Sequence, residues 1–143
     1  MRRLALVLAL VALGLAACGS SNHRSRLAQG QIKDAYEQFF SGKSSLSDRI
    51  SVLQDGPRFK SVVQSFASNP LAKNVTATVG TVTLQGANKA KVTYTVKLGG
   101  SALPQQTGTA VRQDGRWKVG YRSLCKLVAL SGTTPVVCLH KKS

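Results

Sequence analysis

Ile32, Ala35, Tyr36, Phe39 and Phe40 recur at i, i+3, i+4, i+7 and i+8, which predicts an amphipathic helix that stops at Ser41-Gly42. A shorter helix is expected on Leu46, Ile50 and Leu53, ended by Asp55-Gly56-Pro57. Pro57 also suits the first turn of a third helix that carries Phe59, Val62, Val63, Phe66 and Ala67 on one face and closes at Asn69-Pro70. Ahead of these helices, Gly19 to Gln29 is rich in Ser, Asn, Arg and Gly without an apolar period, and reads as a flexible tether.

After Asn74 the period becomes twofold. Val75, Ala77 and Val79 alternate with Thr until Gly80 shifts the phase to Val82 and Leu84, the signature of a bulge or bend in a strand. Ala90, Val92, Tyr94, Val96 and Leu98 then alternate without a fault against Lys89, Lys91, Thr93, Thr95 and Lys97, as a half-buried strand does. A third strand is expected over about Gln106 to Arg112 and a fourth from Arg116, joined through Gln113-Asp114-Gly115. A three-residue loop with Gly115 left-handed would pair Val111 with Trp117 and Thr109 with Val119, keeping Arg112 off the core face. On that register Trp117, Val119 and Tyr121 face the helices, with Cys125 at the same parity.

The amino terminus has apolar character without a period. Arg2 and Arg3 precede 14 residues lacking charge, Leu4 to Ala17, too short for a comfortable bilayer span and suited to a signal-peptide core. The run closes on Leu15-Ala16-Ala17-Cys18, which looks like a bacterial lipobox. On this reading residues 1–17 are a signal peptide, Cys18 carries lipid, residues 18–30 hold the lipidated cysteine and tether, and residues 31–143 are one domain. The protein is then held by its lipid to the extracytoplasmic face of the cell membrane, with partial release as a variant of that address. A retained anchor or a plain secretory signal is the competing reading.

Export leaves Cys125 and Cys138 as an even pair in an oxidising space, where one disulfide is the default. Two free thiols, or a metal pair with His140, are the alternatives; the metal site lacks a fourth ligand nearby. No metal or other cofactor is expected. Without Arg2 and Arg3, 18 basic residues face five acids, a net charge of about +13. So basic a surface favours anionic lipids or envelope polymers as partners. Lys89, Lys91 and Lys97 on the second strand, with Lys118 and Arg122 on the outward side of the fourth, form the candidate patch. Nucleic acid is disfavoured, because the aromatic residues take inward parities and do not interleave with the basic ones.

Helices followed by a curved antiparallel meander make an α+β domain, about three N-terminal helices packed on a four-stranded sheet, an order that resembles the NTF2-like, cystatin-like cone. More narrowly, Ala35-Tyr36-Glu37-Gln38-Phe39-Phe40, Lys91-Val92-Thr93-Tyr94, and Gly108-Thr109-Ala110-Val111 running through Asp114-Gly115-Arg116-Trp117-Lys118-Val119 to Cys125 resemble the low-molecular-weight secreted antigen family of mycobacteria and related actinobacteria. The resemblance implies an exported or lipid-anchored envelope protein, immunogenic in pathogenic members, with no established enzymatic activity. A non-catalytic binding or accessory module is therefore the expected function. The alternative is a carrier of a small, lipid-like molecule, or a divergent enzyme, that uses the cone, with Tyr36, Tyr94, Trp117 and Tyr121 as possible lining. Against catalysis, Asp34, Glu37 and Asp48 fall opposite the apolar stripes, Asp55 and Asp114 in turns, and His23 and His140 in the tether and tail.

Overall fold

A computed structural model of the chain describes residues 19–139. The expected signal peptide, Cys18 and His140 lie outside that range. Helix α1 spans Gly19–Phe40, so the segment expected as a tether is the first half of a single 22-residue helix, about 33 Å long. Ala28 packs on the core and the Gln29 side-chain amide donates to the Val82 carbonyl at 3.2 Å. With the helix fixed from there on, each added turn toward the amino terminus needs no new nucleus. The stripe of Ile32, Ala35, Tyr36, Phe39 and Phe40 is buried as its spacing predicts.

Helix α2 (Leu46–Ser51) starts in a capping box, in which the Ser45 hydroxyl accepts from the Asp48 amide and the Asp48 carboxylate accepts from the Ser45 amide. A 3-10 turn, Gly56–Phe59, leads into α3 (Lys60–Ser68), and a second, Pro70–Asn74, follows it. Arg49 of α2 is 2% exposed and, among the described residues, has no carboxylate within salt-bridge distance. Its guanidinium instead donates to the carbonyls of Phe39 (3.1 Å), Ser41 (2.7 Å) and Ser44 (3.3 Å), and lies 5.5 Å from the centre of the Phe66 ring. It thus closes the negative end of α1, whose last carbonyls have no helical partner. Burial lowers its pKa from the ordinary arginine value.

The sheet is antiparallel, in the order β1 (Val75–Leu84), β2 (Lys89–Leu98), β4 (Gln106–Gln113), β5 (Arg116–Val119), with the two-residue β3 (Ser101–Ala102) paired to the end of β2. The bulge expected at Gly80 is present, since the register shifts between Val79 and Val82. Ala90, Val92, Tyr94 and Val96 of β2 are buried against the helices while Lys89, Lys91 and Lys97 are exposed. The fold class is the expected one, helices packed on a curved antiparallel sheet.

Two expectations at the far edge are corrected. Asp114 (φ 54°) and Gly115 (φ 75°) form a two-residue turn with both central residues left-handed, which pairs Arg112 with Trp117 and Ala110 with Val119 in place of the three-residue register. Arg112 costs nothing at that position because it sits at the end of the sheet with its side chain exposed. Beyond Val119 the chain also leaves the sheet and forms α4 (Tyr121–Ala129), so Tyr121 and Cys125 are helical. α4 covers the stretch of β4 that β5 is too short to reach: the Gly120 amide donates to the Thr109 carbonyl (2.7 Å) and Lys126 Nζ to the Thr107 carbonyl (3.3 Å). The outer edge of β5 is covered in turn by Val52 to Gln54, through bonds of 2.8 Å in both directions with Val119. Both devices remove unpaired strand edge from solvent. Cys125 and Cys138 form a disulfide that ties α4 to the short helix α5 (Val136–Leu139).

Candidate functional site

The inside of the cone is filled. Tyr36 and Tyr94 have ring centres 5.0 Å apart, Phe40 stacks on Tyr94 at 5.3 Å, and Phe39 meets Phe40 edge-on at 4.9 Å. The Tyr36 hydroxyl donates to the Thr109 carbonyl (2.8 Å) and lies 3.0 Å from Ser123 Oγ, which accepts from the Thr109 amide at 3.2 Å. These bonds satisfy the β4 edge from within, and burial raises the pKa of both phenols, that of Tyr94 to about 12. Gly108 belongs to this packing, since a Cβ there would collide with the Tyr36 and Ser123 hydroxyls and the Tyr94 ring.

Of the residues expected to line a cone pocket, Tyr36, Tyr94 and Trp117 are therefore core, and Tyr121 is half-buried in α4 with its ring stacked on Phe59 at 5.2 Å. The acid–base candidates stay outside. Asp34 and His23 are exposed on α1, and Glu37 pairs with Lys33 at 3.8 Å. Asp48, whose carboxyl is held below its usual pKa by hydrogen bonds from Ser45, serves as a cap. Asp55 accepts from Gln113 and Asp114 from Lys118. Among the described residues no group of three or more His, Cys, Asp or Glu side chains could hold a metal ion.

An accessible cavity lies at the mouth of the cone. It is a groove of about 680 Å³ between α3, the Pro70–Asn74 turn, the connection from β2 to β4, and α4 with the loop that follows. Val62 and Phe66 form one wall, Leu98 and Leu103 the floor end, and Leu127 and Val128 the other wall, with the exposed Leu71 and Leu130 at the lips. Its polar lining is Ser, Thr and Asn; among the described residues of a chain with 20 lysines and arginines, no charged side chain lines it. The wall after α4 is held by the Cys125–Cys138 bond. The sequence offered one usable signal for this wall: Tyr121, Leu124, Cys125 and Val128 recur at helical spacing, overlapping the strand alternation that ends at Tyr121.

The expected cationic patch is divided by the structure. Lys89, Lys91 and Lys97 lie on the outer face of β2, but Lys97 is six residues from Lys91, about 20 Å along the strand. Lys118 is held by Asp114 at 3.4 Å with its side chain only 16% exposed. Lys91 and Arg122 come together, with Lys126, around a cleft of about 300 Å³ between the outer face of the sheet and α4.

Fold and site together define a small α+β cone with a filled interior, an apolar groove at its mouth and a disulfide-tied wall. Residues 26–135 match the C-terminal domain of the low molecular weight antigen MTB12, and the chain belongs to that family. No curated protein matches it. Among solved structures it is similar to a protein of Campylobacter jejuni described as a candidate NTF2-like transpeptidase, with 16% identity over 68% of this chain and 96% of that one and a TM-score of 0.39.

Proposed function

We propose that the protein is a lipid-anchored envelope protein that works as a non-catalytic binding module, and that its binding surface is the groove at the mouth of the cone, which takes an apolar, acyl-chain-like ligand. The observation that carries this reading is the groove itself: about 680 Å³, walled by aliphatic and aromatic side chains and, among the described residues, free of charged lining in a strongly basic chain. That volume lies within the usual range for small-molecule sites, which are mostly apolar with a few orienting polar groups. Leucines left exposed at both lips are the kind of surface that a ligand covers. Non-catalytic action is supported by the placement of the acids, each of which caps, pairs or faces water away from both the groove and the sealed cone.

Titration with a fluorescent long-chain fatty acid tests the groove. Saturable binding is expected, and Leu103→Glu or Leu127→Glu, which puts a charge in the apolar lining, should weaken it at least tenfold with an unchanged far-UV spectrum. Equal binding by wild type and both variants would sink the proposal. Anchoring is tested separately: Cys18→Ser should abolish incorporation of radiolabelled palmitate and move the protein out of the membrane fraction, and normal labelling of the variant would refute the lipobox.

A further inference from the structure

We infer that the cleft between the outer face of the sheet and α4 is a binding site for a phosphate group. It is independent of the groove, which lies on different residues. Lys91 from β2 and Arg122 and Lys126 from α4 reach it from two elements, and its remaining lining is neutral and polar: Gln85, Thr107, Thr109 and Ser123, over Gly108. Among the described residues no carboxylate lines it, and neither salt bridge involves its three cations. No acid among the described residues therefore compensates this charge: Lys126 Nζ donates to the Thr107 carbonyl at 3.3 Å, and four of the five acids are engaged as caps or partners elsewhere.

Like charges drawn around one concavity repel, and an anion seated among them removes that repulsion while gaining all three attractions. The arginine fork presents parallel N–H donors to two oxygens of a phosphate, lysine adds point charge, and threonine hydroxyls supply neutral donors. At about 300 Å³ the cleft suits a phosphate ester with a small substituent and is too small for a folded partner's side. Its position also fits a membrane source. Gln85 is at the end of the sheet that Gln29 of α1 contacts through Val82, the end from which the amino-terminal half of α1 extends. A phospholipid headgroup and a free phosphate ester offer the same chemistry, and the test separates them.

The experiment is a titration of the ¹⁵N-labelled protein with glycerol phosphate, alongside flotation with vesicles of phosphatidylglycerol or of phosphatidylcholine. Amide shifts at Thr107, Thr109 and Arg122 are expected, and Lys91→Gln with Arg122→Gln should weaken the interaction at least tenfold. Lys97→Gln with Lys60→Gln removes the same charge outside the cleft and should leave it unchanged. A headgroup source appears as a preference for phosphatidylglycerol vesicles that the cleft variant loses; a soluble source appears as shifts with glycerol phosphate and no vesicle preference. Absence of shifts, or equal weakening by the two double variants, would overturn the site.

Discussion

Breaking the Cys125–Cys138 bond should act on binding more than on folding. The bond closes a loop with a sequence separation of 13, for which the chain-entropy estimate is about 3 kcal/mol at 25 °C. That figure is the ceiling on lost stability, reached only if the native state keeps the segment in place without the bond. It has little to keep it there, because Leu130 to Thr134, Val136 and Leu139 are exposed and the segment's hydrogen bonds are local ones. In Cys125→Ser with Cys138→Ser the segment should fray, and Leu130, Ser131, Thr133 and Pro135 of the groove wall should go with it. Leu127 and Val128 remain on α4. A ligand must then either reorder the loop, against at most about 3 kcal/mol, or bind to the remaining wall, so a loss near tenfold, about 1.4 kcal/mol, is expected. Urea unfolding and fatty-acid titration of the double variant, with reduced wild type as a control, measure both quantities. Unchanged affinity in a variant whose carboxy-terminal amides exchange freely would refute the assignment of this segment to the groove.

Arg49→Met should cost about 3 kcal/mol in urea unfolding, since methionine fills much of the space but leaves the carbonyls of Phe39, Ser41 and Ser44 without their charged donor; a loss under 0.5 kcal/mol, on the order of an ordinary surface change, would contradict the capping role. Stability should also fall at high pH. Tyr94 titrates near 12 in the folded protein against 10.0 when unfolded, so the folded state holds a proton that the unfolded state has released. Its contribution is complete below about pH 10 and decreases by about 1.4 kcal/mol per pH unit as pH rises toward 12. Tyr94→Phe should flatten that slope between pH 10 and 12, and an identical slope in the variant would show that Tyr94 is not buried as described.

Much of the architecture was legible because burial is periodic. The stripe of α1, the Gly80 phase shift and the alternation of β2 each report one buried face, and each is where the pattern placed it. The amino-terminal half of α1 was not legible, because residues 20–27 are exposed apart from the half-buried Ser25 and leave no apolar stripe. The β4–β5 register turned on Arg112, which looks misplaced on the core side until the end of the sheet exposes it. Arg49 carries no sequence signal at all, being one basic residue in a short amphipathic helix whose partners are backbone carbonyls of another element. The groove was missed for a related reason. The aromatic residues that suggested a pocket are the ones large enough to fill the cone, whereas the groove is walled by leucines and valines from four separate segments, which only the tertiary fold brings together.

The central claim, that the mouth of the cone and not its interior holds an apolar ligand, is tested most directly by mapping backbone and methyl shifts of the labelled protein during addition of a long-chain fatty acid. The prediction is saturable perturbation of Val62, Leu98, Leu103, Leu127 and Val128, with Val92 and Val96 of the filled cone unmoved. Perturbation centred on those two core valines, or none at all, would contradict it.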